Sequence, residues 1–112
     1  MSVEITYDDF RKVDMRVGKV IEIEDFLEAK KPSYKMKIDF GPGIGVKNSS
    51  AQITVHKKEE LLNRLVIAVV NFPPKKIANF TSEVLTLGLS NGKGSWVIIR
   101  PEKEVELGTR VE

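Results

Sequence analysis

The apolar run Leu65–Val70 is followed almost at once by two prolines, Pro73-Pro74. The run has no polar face, which is typical of a strand buried on both sides. Proline has no backbone N–H to donate to a neighbouring strand, so strand pairing must stop where the prolines begin. We therefore predict a central strand that leaves the core at its end and displays the next residues, Lys75 and Lys76, on a stiff loop.

Strand patterns also occur before and after this run. Residues Tyr34–Phe40 alternate apolar and polar side chains, as in a half-buried strand. Further strands are predicted at Met15–Glu24, Ile44–Lys47, Glu83–Leu89 and Ser95–Arg100, and Asn48-Ser49-Ser50 are predicted to interrupt the strand that begins at Ile44. Short helices are predicted after Thr6 and within His56–Arg64. Closing such strands into a barrel removes exposed edges. We predict an all-β protein with short helices, an OB-fold Greek-key barrel, as a single domain over residues 1–112.

Charge is unevenly distributed along the chain. Residues 26–101 contain twelve Lys or Arg and five Asp or Glu, whereas residues 1–25 contain four and seven, and residues 102–112 contain two and four. A basic middle indicates a surface for polyanions, although the net charge of +2 is too small for a chain that coats nucleic acid by charge alone. An ordinary solvated surface remains the alternative.

Several classes of function lack their residues. The chain has no cysteine, and the apolar run Leu65–Val70 is too short to span a bilayer. With no charged-then-apolar leader, we expect a cytoplasmic protein without membrane insertion. The single histidine, His56, is expected to be a helix cap or an exposed side chain, and Ser49 and Ser50 have no neighbouring base. We therefore expect no enzyme activity, no metal and no cofactor.

Three segments together resemble the tRNA-binding domain family: Asp14–Gly18, Asn71–Ile77 and Ser82–Leu85. That family includes free-standing tRNA-binding proteins and domains appended to methionyl- and phenylalanyl-tRNA synthetases. The segment Ile44–Ile53, joined to an Asn-Phe-Pro-Pro core, is similar to the CsaA branch, described as export-related chaperones. The resemblance covers nearly the whole chain and implies an OB barrel, a tRNA partner and a homodimer. The N-terminal helix with Phe10 and the C-terminal tail are the predicted dimer interface.

Two hypotheses follow from the residues and the resemblance. In the first, the chain is a non-catalytic tRNA-binding protein with chaperone activity in protein export. Its lysines release counterions from phosphates, and its amides and hydroxyls orient phosphates or bases. The predicted tRNA-binding residues are Lys47, Asn48, Ser49, Asn71, Lys75, Lys76 and Ser82.

In the second hypothesis, the chain is a dedicated peptide-binding chaperone whose RNA binding is weak or incidental. Phe72, Ile77 and Phe80 would line an apolar groove for unfolded or export-destined polypeptides, and the neighbouring lysines would attract acidic segments. The same phenylalanines could instead plug the core or stack on bases. The sequence does not separate the two surfaces.

Overall fold

The computed structural model describes residues 2–112. Within that range the elements are, in chain order, α1 (Tyr7–Arg11), β1 (Met15–Asp25), β2 (Tyr34–Asp39), β3 (Val46–Ala51), α2 (Lys58–Leu61), β4 (Leu65–Val69), β5 (Lys75–Ile77), β6 (Phe80–Ser82), β7 (Leu85–Thr86), β8 (Gly88–Ser90) and β9 (Trp96–Ile98). Helix α1 begins where the sequence predicts, because Thr6 and Asp9 cap it reciprocally.

Five antiparallel strands form the main sheet, in the order β3-β2-β1-β4-β7. The two outer strands of this order meet across a short gap, where the backbone N–H of Glu83 donates to the carbonyl of Asn48 at 2.8 Å. The sheet is therefore a nearly closed barrel, in which the two outer strands β3 and β7 lie next to each other. This arrangement confirms the predicted OB-like fold.

The core lies inside the barrel and is lined by alternate residues of β1, β2 and β4. Met36 and Ile38 on β2 are at most 1% exposed, and Lys37 between them points outward. Gly18 on β1 faces this core: a Cβ there would lie 2.5 Å from Ile38 Cγ2 and 2.7 Å from Phe40 Cε1. Only glycine fits at position 18, because the aromatic ring of Phe40 occupies the side-chain space.

The apolar run forms β4, which lies between β1 and β7 as predicted for a central strand. The strand ends at Val69, and Leu65 and Ile67 are half-buried, so one side of β4 is less enclosed than the sequence indicated. Pairing stops before Pro73-Pro74, as the missing proline N–H requires. The residues after the prolines pair again, however: Lys75 and Lys76 belong to the hairpin of β5 and β6, and the prediction of a loop there is wrong.

Two further predictions about elements are wrong. Residues Asn48-Ser49-Ser50 do not interrupt a strand, because their backbones pair with β2 throughout β3. The predicted strand Glu83–Leu89 is two strands, β7 and β8, separated at Leu87, whose backbone N–H donates to the Ile67 carbonyl at 2.9 Å. In both places the backbone bonds to a partner from a distant part of the chain, which local sequence patterns do not report.

His56 has a structural position that the sequence did not reveal. Its side chain is 15% exposed, and its Nε2 accepts a hydrogen bond from the backbone N–H of Ile98 at 3.2 Å. Its carbonyl accepts from the Tyr34 hydroxyl at 2.7 Å, and burial of that phenol raises the Tyr34 pKa. His56 therefore joins β2 and β9 and is neither a helix cap nor an exposed side chain.

Candidate nucleic-acid interface

The β5–β6 hairpin carries two of the predicted RNA-binding lysines. Lys76 pairs with Thr81 across the hairpin, and both are exposed on the side that faces away from the barrel. Lys75 lies on the other side, opposite Ser82, and is also exposed. Neither ammonium group forms an ion pair with any residue in the range 2–112. Both charges are therefore available to a polyanion.

An aromatic contact docks this hairpin on the loop between β1 and β2. The Phe80 ring packs edge-on against Phe26 with centroids 5.5 Å apart, and Phe26 is 3% exposed. Lys35 Nζ lies 5.2 Å from the Phe26 centroid, 5.9 Å from the Phe80 centroid, and 3.4 Å from Glu24 Oε1. The hairpin is thus held by an aromatic pair of buried Phe26 and half-buried Phe80, with the ion-paired ammonium group of Lys35 near both rings.

The loop beneath the hairpin brings more positive charge to the same place. Residues 26–33 fold back on themselves, with the Phe26 N–H donating to the Ser33 carbonyl at 3.1 Å, and they display Lys30 and Lys31 to solvent. Lys37 is exposed on the outer face of β2. We call these exposed cations the lysine surface, which consists of Lys30, Lys31, Lys37, Lys75 and Lys76. Sequence reasoning did not include the first three among the binding residues, although the Lys30-Lys31 pair in a polar loop was a usable signal.

The lysine surface occupies the part of the barrel that OB folds use for binding. In such folds, oligonucleotides contact the outer face of the second and third barrel strands, the loop after the first strand and the loop after the fourth. Here these are the face of β2 and β3, residues 26–33, and the segment between β4 and β7 that contains the hairpin. The position of the lysine surface and its positive charge therefore both fit the binding of an oligonucleotide.

Other predicted contact residues close the barrel instead. We call this region the seam; it consists of Asn48, Ser49, Ser50, Ser82, Glu83, Val84 and Thr86. The Asn48 N–H donates to Glu83 Oε1 at 2.9 Å, and Asn48 Oδ1 accepts from Lys37 Nζ at 3.2 Å. The Ser82 hydroxyl accepts from the Ser50 N–H at 3.2 Å and donates to the Val84 carbonyl at 3.3 Å. These groups replace the strand pairing that β3 and β7 lack.

Ser49 lies deepest in the seam and cannot contact RNA from its position. Its side chain is 0% exposed, and its hydroxyl donates to the Val84 carbonyl at 3.2 Å and lies 2.7 Å from Thr86 Oγ1. The prediction that Ser49 is presented at the surface is therefore wrong. Its place on β3 opposite buried Met36 turns it inward.

Asn71 and Lys47 complete the predicted tRNA-binding set. Asn71 Oδ1 accepts from the Asp14 N–H at 3.1 Å, and its Nδ2 donates to the Lys12 carbonyl at 2.7 Å, so both polar groups join the end of β4 to the segment before β1. Lys47 is half-buried on the same side of β3 as Ser49. Of the seven predicted residues, the structure therefore brings only Lys75 and Lys76 together as exposed groups without hydrogen-bond partners among residues 2–112.

The predicted peptide-binding residues fall into two groups. Ile77 and Phe80 are cross-strand neighbours on the β5–β6 hairpin, and both are half-buried. Phe72 stands apart from them, immediately before the prolines, and is 52% exposed. Phe80 packs against Phe26 and so docks the hairpin. Of the three predicted peptide-binding residues, Phe72 is therefore the one whose side chain is mainly exposed.

Residues 2–112 contain neither a metal-binding cluster nor a membrane-spanning helix. In that part of the chain no group of three or more His, Asp or Glu side chains could hold a metal ion. No helix there has both the length and the apolar character to cross a membrane. An OB-like barrel with lysine-bearing loops has the form of an oligonucleotide-binding module.

Comparison with known proteins identifies the family within that class. The model of a putative tRNA-binding domain matches residues 15–110. The chain therefore belongs to the putative tRNA-binding domain family, and the resemblance predicted from its motifs is confirmed.

Two chaperone structures match over almost the whole chain. The CsaA chaperone protein of Picrophilus torridus is 56% identical with a TM-score of 0.91, covering 97% of this chain and 100% of that one. Chaperone CsaA of Bacillus anthracis is 42% identical with a TM-score of 0.91, covering 98% and 100%. Methionine–tRNA ligase of Pyrococcus abyssi is 38% identical over 107 residues, which are 96% of this chain and 14% of the ligase. The chain thus spans about one-seventh of that enzyme's length.

Proposed function

We propose that this chain is a non-catalytic tRNA-binding module, a single domain that acts in the cytoplasm and holds the RNA backbone on the lysine surface. The observation that carries the proposal is the pair Lys75 and Lys76, exposed and without ion pairs on a hairpin docked beside Lys30 and Lys31. Membership of a putative tRNA-binding family supports tRNA as the polyanion.

Binding on this surface is driven by phosphate neutralisation. Each lysine that contacts a phosphate releases a condensed counterion, which makes the affinity depend on salt. The hydroxyls of Ser49, Thr86 and Ser82 are already bonded to other residues of the seam, so they add little to this term. The lysine surface of one protomer has five cations, which predicts a log–log salt slope of about −3.5 to −4.5 for RNA held by one protomer if each cation neutralises one phosphate.

A filter-binding titration of total tRNA at several salt concentrations tests this proposal. We expect a dissociation constant that rises steeply with salt, with a slope in the range given above. Binding that is absent at low salt, or binding with a slope near zero, would contradict the proposal. Heparin at matched charge concentration is a useful comparison, since a bare electrostatic surface would bind it equally well.

A second candidate function is a chaperone that binds unfolded or export-destined polypeptides. It is favoured by the near full-length similarity to two solved CsaA chaperones and by Phe72, which is 52% exposed beside the lysine surface. A light-scattering assay with an unfolding client tests it: the protein should suppress aggregation, and Phe72→Ser should suppress less. Micromolar tRNA binding without suppression at a stoichiometric amount of protein would reject this function.

We also propose a homodimer formed through α1 and the C-terminal tail. A narrow cleft between them is lined by Tyr7, Phe10, Arg11, Val13, Arg110, Val111 and Glu112. Val3 and Ile5, just before α1, are 88% and 69% exposed, so apolar area is available for a partner. A two-fold pair would double the lysine contacts with one RNA. Sedimentation equilibrium of the wild-type protein and of Ile5→Glu tests the dimer. The same mass for the wild type and the variant at all concentrations would contradict an interface at this place.

A further inference from the structure

Trp96 is the one tryptophan of the sequence, and it lies partly exposed at the start of β9. Its side chain is 42% exposed. Its cross-strand partner is Ser90, and the next residue on that side of β8 is Gly88. A Cβ on Gly88 would lie 3.2 Å from Trp96 Cβ and 2.9 Å from the Val97 carbonyl oxygen. Both neighbours on β8 are therefore small, and neither covers the indole.

Hydrogen bonds attach the start of β9 to the residue that follows β3. The Trp96 N–H donates to the Gln52 carbonyl at 3.1 Å, and the Ser95 hydroxyl donates to the same carbonyl at 3.0 Å. The seam bond from the Ser50 N–H to Ser82 attaches the β5–β6 hairpin only two residues earlier. Along an extended chain that separation is about 7 Å. The β8–β9 and β5–β6 hairpins thus meet the chain of β3 at adjacent points.

A well-bonded turn holds a lysine near the indole. Asn91 Oδ1 accepts from the Lys93 N–H at 2.8 Å and from the Ser95 N–H at 3.1 Å. The Gly92 N–H donates to the Ser90 hydroxyl at 3.1 Å. Lys93 itself is exposed and forms no ion pair within residues 2–112. The turn therefore fixes the backbone of a free cation three residues from an open aromatic ring.

We propose that Trp96 and Lys93 form a stacking site for one unpaired base of the bound RNA, with the base on the indole and an adjacent phosphate on the ammonium group. The proposal rests on the tRNA-binding function and adds a base contact to a surface that otherwise offers charge for phosphates. Stacking on an aromatic ring accepts every base, since each has a π-face. An OB fold engages roughly 4 to 16 nucleotides, a length that reaches both hairpins.

Charge favours RNA over other occupants of the ring. Lys93 lies three residues before Trp96 in the chain, and Lys75 and Lys76 lie on the hairpin whose Ser82 bonds to Ser50, two residues before Gln52. A second copy of this basic region would be repelled there, whereas a polyanion is attracted. The ring and the cations together match a nucleotide, which has an aromatic base and a negative phosphate.

The single tryptophan makes the site directly observable, because all indole emission comes from Trp96. The wild-type protein should be titrated with total tRNA, with a single-stranded RNA oligomer and with a blunt RNA duplex of the same length. We expect tRNA and the single strand to quench and shift the emission, and the blunt duplex to leave it unchanged. Equal quenching by all three RNAs would contradict base stacking.

Variants separate stacking from charge. Trp96→Ala should weaken tRNA binding about tenfold, within the range for loss of one stacked base, and leave the salt slope unchanged. Trp96→Phe should restore most of the affinity. Lys93→Ala should lower the magnitude of the slope by about one unit. If Trp96→Ala does not fold, Trp96→Phe and the wild-type emission still decide the question.

Other results would overturn the stacking site and identify a different occupant. Emission that changes with protein concentration in the absence of RNA would show that a second copy covers the ring. Quenching by an unfolded polypeptide but not by RNA would show a peptide site. If tRNA binds with a steep salt slope while Trp96→Ala binds equally well, the stacking site is wrong and the proposed function stands. If no tRNA binds, both fail.

Discussion

The seam and the β5–β6 hairpin meet at Ser82, yet they use polar side chains in opposite ways. In the seam, the hydroxyls of Ser49 and Thr86 are buried and bonded to each other. On the hairpin, Lys75 and Lys76 are exposed and have no ion pair with residues 2–112. The contrast shows that short polar side chains are consumed by closing the barrel, whereas long cationic ones remain available for a ligand.

The same contrast separates stability from binding. Among residues 2–112, no buried side-chain nitrogen or oxygen lacks a hydrogen-bond partner. Removing one partner in the seam would leave its neighbour unsatisfied in a buried place, which lowers the free energy of unfolding. Removing Lys75 or Lys76 leaves no partner unsatisfied within residues 2–112, so its loss should affect the ligand alone.

The largest expected effect is on RNA affinity, from replacing both hairpin lysines. Lys75→Ala/Lys76→Ala should weaken tRNA binding about 100-fold at low salt, at roughly 1.5 kcal/mol for each charged contact. The magnitude of the salt slope should fall by about two units. Filter binding across a salt series measures both quantities.

The charge-matched control is Arg100→Ala/Lys103→Ala, which removes two exposed cations that lie near the C-terminal tail and form no ion pair within residues 2–112. This variant should keep most of the affinity and the slope. Equal weakening by the two double variants would show that net charge, not the position of the hairpin, governs binding. The hairpin lysines would then have no special role in RNA binding compared with other exposed cations.

The next effect is on stability and tests the other half of the comparison. Ser49→Ala removes the partner of the buried Thr86 hydroxyl and should lower the free energy of unfolding by about 1–3 kcal/mol. Ser49→Ala/Thr86→Val should cost less than the two single changes together, because no orphaned hydroxyl remains. Urea unfolding measures these differences.

Ser50→Ala is the matched control for the seam. Ser50 is the next residue on β3, and its hydroxyl makes no hydrogen bond to residues 2–112. This change should alter stability by less than about 0.5 kcal/mol. If Ser49→Ala lowered tRNA affinity or its salt slope while stability stayed the same, the seam would have to be counted as part of the binding site.

The difference between the seam and the hairpin also explains which features of the fold and of the candidate site could be predicted from sequence. The alternation in β2 was visible because its inward and outward residues differ in polarity, and β4 was visible because five consecutive apolar residues form a run of strand length. The roles of Ser49 and Asn71 were not visible, since their partners lie 37 and 57 residues away in the chain. A hydroxyl or amide has the same local signature whether it bonds to the protein or to a ligand. Lysine is less ambiguous, because it is rarely buried.

A smaller effect concerns the turn of the β5–β6 hairpin. Ala78 has φ +53°, in the left-handed region that disfavours residues with a Cβ. Ala78→Gly should relieve this strain and raise the free energy of unfolding by about 0.5–1 kcal/mol, after the entropic cost of glycine. Thermal unfolding measures the change, and RNA affinity should stay the same. Ala29→Gly, at a position without positive φ, should instead destabilise the protein; stabilisation by both would argue against strain at Ala78.

The smallest effect comes from the capping box of α1, which has side-chain-to-backbone bonds like those of the seam but in contact with solvent. The backbone N–H of Thr6 and, to a lesser degree, Lys12 lower the Asp9 pKa below 3.8. Because the folded pKa is lowered, the contribution to stability is present above 3.8 and is lost as the pH falls through the folded value. An NMR pH titration of the Asp9 carboxyl carbon should give a midpoint below 3.8, and Lys12→Met should move it part of the way back. A midpoint at or above 3.8 would show that the hydrogen bonds of the exposed capping box do not stabilise the charged form of Asp9. The strength of the hydrogen bonds in the seam would then have to be attributed to their burial.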